Sequence, residues 1–172
     1  MSKRAPQFIR RKHDAYDTPF AAIPALLPHL KPMTFYAEPC VGSGALVEHL
    51  ARHGHTCVFS CDIQQGLDAM DLRPEHTRTA EAVITNPPWT RQLLHPMIKH
   101  FVTLAPEVWL LFDGDWLFTA QAKPYIDLYL TDVVPTRRLK WIPDSPHTAK
   151  DNTAWYRFTA DGTEPARFHG RK

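Results

Sequence analysis

The sequence predicts an α/β fold, a single mostly parallel sheet covered by helices on both faces. Three observations predict it. Short apolar segments alternate with segments of helical spacing along the chain. The apolar segments are hydrophobic across their whole width, as strands buried on both sides are. The unusual residues, Glu38 to Gly44, Asp62 and Asn86 to Trp89, each follow a strand. Ligands of open parallel sheets bind beyond that end of the strands, near the point where the strand order reverses.

The elements follow in order. Residues 1–13 read as a flexible basic arm, carrying Lys3, Arg4, Arg10, Arg11 and Lys12 without an acid. Thr18 followed by Pro19 predicts an N-cap and first turn, opening a helix that runs to about Leu30 and is shortened or kinked by Pro24 and Pro28. Thr34 to Ala37 is a buried strand leading into Glu38-Pro-Cys-Val-Gly-Ser-Gly44. Ala45 to Arg52 has helical spacing, with Leu46 and Leu50 four apart and Gly54 as its stop. Thr56 to Cys61 is a second strand, closed by Asp62, and the stretch from Ile63 to Glu81 is loop-rich with one short helical turn. Ala82 to Thr85 is a third strand, Thr90 to about Val102 a helix, and Val108 to Phe112 a fourth strand. A helix near Pro124–Leu130 and strands at about Val133–Trp141 and Thr153–Thr159 complete the pattern. A single domain over 14–160 results, with 161–172 a basic tail.

Composition narrows the classes. A chain of 172 residues with 44% hydrophobic and 22% charged residues has the balance of one soluble globular domain. No apolar run approaches the ~20 residues that span a bilayer, and no apolar stretch follows the charges of the N-terminus. A cytoplasmic protein is the expectation. Cys40, Cys57 and Cys61 form no CxxC pair, and the histidines have no metal-ligand spacing, so neither a disulfide framework nor a bound metal is expected. Net charge is only +2, but it is clustered at the N-terminal arm, at Arg137-Arg138-Leu-Lys140 and at Arg167 to Lys172. Such clusters contact phosphates or form solvated ends.

Three motifs carry chemistry. Gly42-Ser-Gly44 between a strand and a helix allows close backbone approach and presents helix N-terminal N–H groups to a ligand. Val47 stands where the dinucleotide fingerprint has its third glycine, which argues against NAD or FAD. Asp62, at the tip of the second strand, stands where nucleoside-binding doubly wound folds hold ribose hydroxyls. Asn86-Pro87-Pro88-Trp89 is the most specific signal. Two prolines hold the chain extended without donors, leaving the Pro87 carbonyl and the Asn86 side-chain oxygen as acceptors for one amino group. Trp89 offers a flat face to a planar base. Two fixed acceptors would draw a delocalised amine toward tetrahedral geometry and stabilise the charge that grows on it.

These residues resemble the amino-methyltransferases of the class I S-adenosylmethionine-dependent, Rossmann-like fold, most closely the small phage-type DNA N6-adenine methyltransferases. The matched pattern is Glu38-Pro-Cys-Val-Gly42-Ser-Gly44, the catalytic loop Asn86 to Trp89, and an N-terminal Thr-Pro element in Tyr16-Asp17-Thr18-Pro19. The resemblance runs from about Tyr16 to Phe158. It implies S-adenosylmethionine as cofactor, held by Tyr16, Thr18, Pro19, Glu38, Pro39, Gly42, Gly44, Asp62, Ile63, Asp68 and Asn86. Asp71 competes with Asp68 for the cofactor's adenine. It implies catalysis by Asn86, Pro87, Pro88 and Trp89, and methylation of adenine N6 in DNA. Trp89, Asp115, Arg137 and Arg138 are the expected substrate contacts, Asp115 against the alternative of a capped turn. The same loop also serves enzymes acting on RNA adenine or guanine, DNA cytosine N4 or a protein glutamine amide. An inactive nucleotide-binding module would predict a damaged loop, and this loop is intact. Sequence-specific members have a sizeable recognition region that no stretch here supplies. Either the enzyme reads little sequence, or the Ile142–Asp151 loop and the basic ends, a homodimer or an accessory partner do the reading.

Overall fold

The computed structural model describes residues 16–142, 151–162 and 164–170. The basic arm, most of the Ile142–Asp151 loop with His147 and Lys150, and Arg171 and Lys172 lie outside them. Seven strands form one sheet: β1 (Phe35–Glu38), β2 (Thr56–Ser60), β3 (Ala82–Thr85), β4 (Glu107–Asp113), β5 (Leu130–Pro135), β6 (Thr153–Phe158) and β7 (Arg167–Phe168). Their order is β2-β1-β3-β4-β6-β5-β7. The pairs β1–β2, β1–β3, β3–β4 and β5–β7 are parallel, and only β6 runs against its neighbours β4 and β5.

The strand order reverses between β1 and β3, so the crevice there is the place for a ligand. Side chains alternate across the sheet and build two cores. One face buries Tyr36, Ile84, Trp109 and Trp155 under α1 (Ile23–Leu26) and α2 (Ala45–Ala51). The other buries Val83, Leu110, Phe112, Tyr156 and Phe158. It is covered by α3 (Pro74–Thr77), α4 (Arg91–Phe101) and α5 (Lys123–Tyr129). In α4 the buried Leu94, Met97, Ile98 and Phe101 form one stripe, which keeps the helix in place despite Pro96 within it.

Several elements differ from expectation. The segment expected to be one helix to Leu30 is a 3-10 turn (Phe20–Ala22), α1, and a second 3-10 turn (Leu27–His29). Pro24 and Pro28 each lack the N–H a continuous helix needs, so each can sit only in a first turn. Pro19, not Thr18, occupies the cap position. The Ile63–Glu81 stretch holds two 3-10 turns besides α3, because Asp62 and Asp68 each cap one by accepting the N–H two residues on. The strand expected at Val133–Trp141 is Leu130–Pro135, where Val133 and Val134 pair with Tyr156 and Trp155. Residues 136–142 leave the sheet. Arg167 and Phe168, in the stretch read as a basic tail, pair with Asp132 and Val133 as β7. Among the described residues no helix is long and apolar enough to cross a membrane.

Candidate active site

A cavity of about 450 Å³ opens at the C-terminal ends of β1, β2 and β3. It is lined by Tyr16, Thr18, Glu38, Pro39, Gly42, Asp62, Ile63, Asp68, Asn86 and Pro88, ten residues singled out from sequence. Asp71 is not among its walls, so of the two competing acids Asp68 is the one brought to the cavity. Pro19, Gly44, Pro87, Trp89, Asp115, Arg137 and Arg138 lie outside its lining.

The glycine turn is built by backbone conformation. Gly42 and Gly44 have φ of +52° and +88°, which side-chain-bearing residues rarely adopt, and a Cβ on either would meet open space. The turn closes by a 2.8 Å hydrogen bond from the Gly44 N–H to the Val41 carbonyl. The Gly42 N–H donates to Asp62 Oδ2 at 2.9 Å, and the Gln64 N–H donates to Asp62 Oδ1 at 2.9 Å. These two glycine N–H groups, expected to face a ligand, therefore already have partners. Asp62 joins the tip of β2 to the turn after β1, and each of its oxygens keeps one acceptor direction.

Glu38 ends β1 on the cavity wall and is only 1% exposed. Its Oε1 accepts the Thr85 hydroxyl at 2.9 Å, and its Oε2 is buried without a partner. Burial pushes the carboxyl well above its ordinary range. The Thr85 bond opposes that rise and the nearby Asp62 adds to it. Four carboxyl groups, those of Asp17, Glu38, Asp62 and Asp68, line the cavity, and among the described residues no Lys, Arg or His does. Such a lining disfavours a phosphate and favours a cationic ligand. An orphaned buried acceptor beside it costs about 1–3 kcal/mol until a donor arrives.

Asn86 stands at the end of β3 with its amide fixed on both sides. Its Nδ2 donates to the Tyr16 carbonyl at 3.2 Å, and its Oδ1 accepts the Trp89 indole N–H at 3.2 Å. A carbonyl can only accept and an indole N–H can only donate, so the amide fits one way round. Oδ1 retains a second acceptor direction. Trp89 packs edge to face on Trp141, with ring centroids 5.4 Å apart at 83°, and Tyr16 approaches the same Trp141 at 6.5 Å and 64°. Asp17 accepts the Ser43 hydroxyl. The Tyr16–Thr18 segment thereby ties the glycine turn to the Asn86 loop across the cavity.

The remaining expected contacts lie apart. Asp115 sits beyond β4, where its N–H donates to Asp113 Oδ1 at 2.9 Å, the geometry of a capped turn. Burial raises the Asp113 carboxyl despite that bond. Arg137, Arg138 and Lys140 are exposed in the segment after β5, around a fully buried Leu139. Sequence reasoning missed Asp17, Ser43 and Trp141. The first two adjoin residues of the cofactor motifs, whereas Trp141 follows the Arg137-Arg138-Leu-Lys140 cluster and is separated in sequence from the glycine turn, Asp62 and the Asn86 loop.

No protein-family model and no curated protein matches the chain. Solved structures do. A candidate RNA methyltransferase from Pyrococcus horikoshii matches with a TM-score of 0.55 at 14% identity, over 92% of this chain and 91% of its own. The type IIG restriction endonuclease BpuSI matches with a TM-score of 0.56 at 14% identity, over 85% of this chain and 25% of its own. The type I restriction-modification methyltransferase subunit from Streptococcus thermophilus matches at 0.50 and 13% identity, over 85% and 45%. At these identities the likeness is one of architecture, and with the strand order and cavity position it establishes the Rossmann-like class I methyltransferase fold.

Proposed function

We propose that this protein is an S-adenosylmethionine-dependent methyltransferase acting on an exocyclic amino group of a nucleic-acid base, with adenine N6 in DNA as its substrate. The observation that carries this reading is one cavity holding both parts of the chemistry. Among the described residues its walls have four carboxyl groups and no cation, and the doubly anchored Asn86 amide stands at its edge. NAD or ATP would bring phosphates against that acidic lining. S-adenosylmethionine brings a sulfonium and an ammonium, and Glu38 Oε2 is a buried acceptor without a partner. The cavity volume lies within the roughly 300–1,000 Å³ of small-molecule sites.

In this reading Glu38 and Asp17 face the cationic end of the cofactor, Asp62 and Asp68 its ribose and adenine, and Ile63 its ring. When bound, the cofactor supplies an electrophilic methyl group. Asn86 Oδ1 would accept a hydrogen bond from the attacking amine, with the Pro87 carbonyl as second acceptor. The amine's lone pair is thereby freed from the ring, and the charge it gains is stabilised. The nitrogen then gives up one proton to water, so the site needs no strong base. Tyr16 and Trp89 hold the Asn86 amide in its orientation before the substrate arrives, which is where alignment contributes most. Arg137, Arg138 and Lys140 are the cations on hand for a phosphate backbone.

The nucleic-acid part of the proposal draws support from those exposed cations and from the named activities of the similar structures. The likeness over nearly the whole Pyrococcus protein favours RNA as the second reading. Incubation with labelled S-adenosylmethionine and separate DNA, RNA and protein acceptors, followed by nucleoside analysis, decides between them. N6-methyladenine in DNA is expected; label confined to RNA or to protein overturns the DNA assignment. Asn86→Ala should lower transfer by about 10²–10³-fold, with cofactor affinity changed only a few-fold. Near-full activity of that variant refutes the mechanism.

A further inference from the structure

Trp141 lies far in sequence from the glycine turn and the Asn86 loop, yet it completes a closed ring of contacts around the candidate catalytic amide. Asn86 Nδ2 donates to Tyr16, the Tyr16 ring meets Trp141, Trp141 meets Trp89, and the Trp89 indole donates back to Asn86 Oδ1. We propose that Trp141 is a positioning residue for Asn86, acting through Trp89 and Tyr16. The inference rests on the methyl-transfer reading for its kinetic consequence, but its geometric content stands independently.

The two aromatic partners come from opposite layers. Trp89 packs on the core under α4 and α5, and Trp141 packs on the core under α1 and α2. Their edge-to-face contact spans the end of the sheet, so neither layer alone fixes the Asn86 loop. Trp141 is itself held from below, since Leu139, two residues earlier, is fully buried in the α1–α2 core. A hydrogen bond of 3.2 Å from an indole N–H keeps its direction only while the ring is held. Trp89 is half-buried and gains one of its flanks from Trp141. Edge-to-face pairs of this kind favour the ordered arrangement by about 2- to 12-fold beyond area burial. Truncating Trp141 removes two such contacts, one to Trp89 and one to Tyr16.

Trp141 also closes the segment that carries Arg137, Arg138 and Lys140, whose side chains point to solvent while Leu139 and Trp141 point inward. The residue that holds the catalytic amide therefore sits on the same short segment as the cations facing an acceptor. That placement makes Trp141 relevant to the acceptor half of the reaction and leaves the cofactor half to the β1 and β2 turns.

The test compares Trp141→Ala and Trp141→Phe with the unaltered protein. The indole N–H resonance of Trp89, assigned by its loss in Trp89→Phe, reports the bond to Asn86 without requiring turnover. In Trp141→Ala it should shift toward the free-indole position and exchange with solvent at least about fivefold faster, with Trp141→Phe close to the unaltered protein. Kinetically, Trp141→Ala should lower kcat at least about fivefold while the S-adenosylmethionine dissociation constant stays within twofold, and Trp141→Phe should restore most of kcat. An unmoved Trp89 resonance in a folded Trp141→Ala overturns the proposal. Equal loss of cofactor affinity and kcat, or failure of Phe to rescue, also overturns it by showing a merely structural role. If the unaltered protein methylates nothing while the Trp89 resonance responds as described, the methyl-transfer reading falls and the positioning stands.

Discussion

Glu38→Gln separates stability from ligand binding and can be worked through from the structure. Glu38 is buried, its Oε1 is satisfied by Thr85, its Oε2 is orphaned, and burial raises its carboxyl well above the ordinary 4.5. A carboxyl that stays protonated in the folded protein and ionises in the unfolded chain stabilises the fold fully below the unfolded pKa. That stabilisation is lost as pH rises toward the folded pKa. Within that window the loss approaches ~1.4 kcal/mol per pH unit. Gln copies the shape of the protonated acid and does not titrate. The variant should match the unaltered protein near pH 4.5. It should then gain on it by ~1.4 kcal/mol per pH unit, about 3–5 °C in Tm for a chain of this size. Thermal unfolding followed by circular dichroism at pH 5, 6 and 7 measures the gain. S-adenosylmethionine should raise the Tm of the unaltered protein and leave the variant's nearly unmoved, because the acid can give up its proton to pair with a cation and the amide cannot. A Tm difference constant across the three pH values would refute the argument, since Glu38 would then ionise in the folded protein as it does in the unfolded chain.

Three further outcomes are expected. Replacing both Arg137 and Arg138 by Glu should weaken DNA binding at least about tenfold and flatten the log–log salt dependence by about 2, with kcat at saturation little changed; filter binding across a salt series measures it. Asp17→Asn should weaken cofactor affinity several-fold in calorimetry, because one of the four acids is lost and the Ser43 hydroxyl is left with a neutral amide acceptor in place of a charged one. Asp132 receives Arg157 at 3.1 Å and His169 at 2.8 Å at the opposite end of the sheet. Burial pushes its carboxyl up, but the bonds from His169, Thr131 and Arg157 outweigh that and hold it below the ordinary 3.8. Its contribution is therefore present above pH ~4 and lost as pH falls through the depressed value. Asp132→Asn should cost about 1–3 kcal/mol in urea unfolding at pH 7, and less near pH 3.

What could be read in advance divides along a physical line. The cavity walls were legible because their residues sit on strand ends and tight turns, where local rules dictate residue type. Gly42 and Gly44 stand at positive φ, Asp62 and Asp68 cap the turns that follow them, and two prolines stiffen the segment after Asn86. The strands β1 to β4 were legible from their short apolar runs. Trp141 was not legible, because nothing local requires it. Its role exists only once β5 ends and residues 136–142 return over the rim of the sheet. The end of β5 was misplaced for the same reason. Val133 and Val134 pair with Tyr156 and Trp155, a tertiary choice that strand propensity beyond Pro135 does not express. β7 is only two residues long and exposed, held by pairing with β5.

In the proposed reading, the distribution of charge lets one small fold bring a cationic ligand and a polyanion together. Acids line the cavity at β1 and β2, and among the described residues no cation is found in its walls. The exposed Arg137, Arg138 and Lys140 lie on the segment after β5, whose Trp141 meets Tyr16 and Trp89 at the cavity's edge. With the ionic screening length about 8 Å at physiological salt, exposed charges act mainly on what lies nearest them. The groups between them are uncharged: an amide, two prolines, a tyrosine carbonyl and two indoles. An amide acceptor suits that position better than a carboxylate would. It stabilises a growing positive charge on nitrogen without adding an anion beside the phosphates of the acceptor. Asn86→Asp tests this directly. The added charge should raise the apparent KM for DNA and make it more salt-sensitive. The effect on a free adenine nucleoside as acceptor should be smaller, and an equal effect on both would show that the neutrality of residue 86 serves the reacting nitrogen alone.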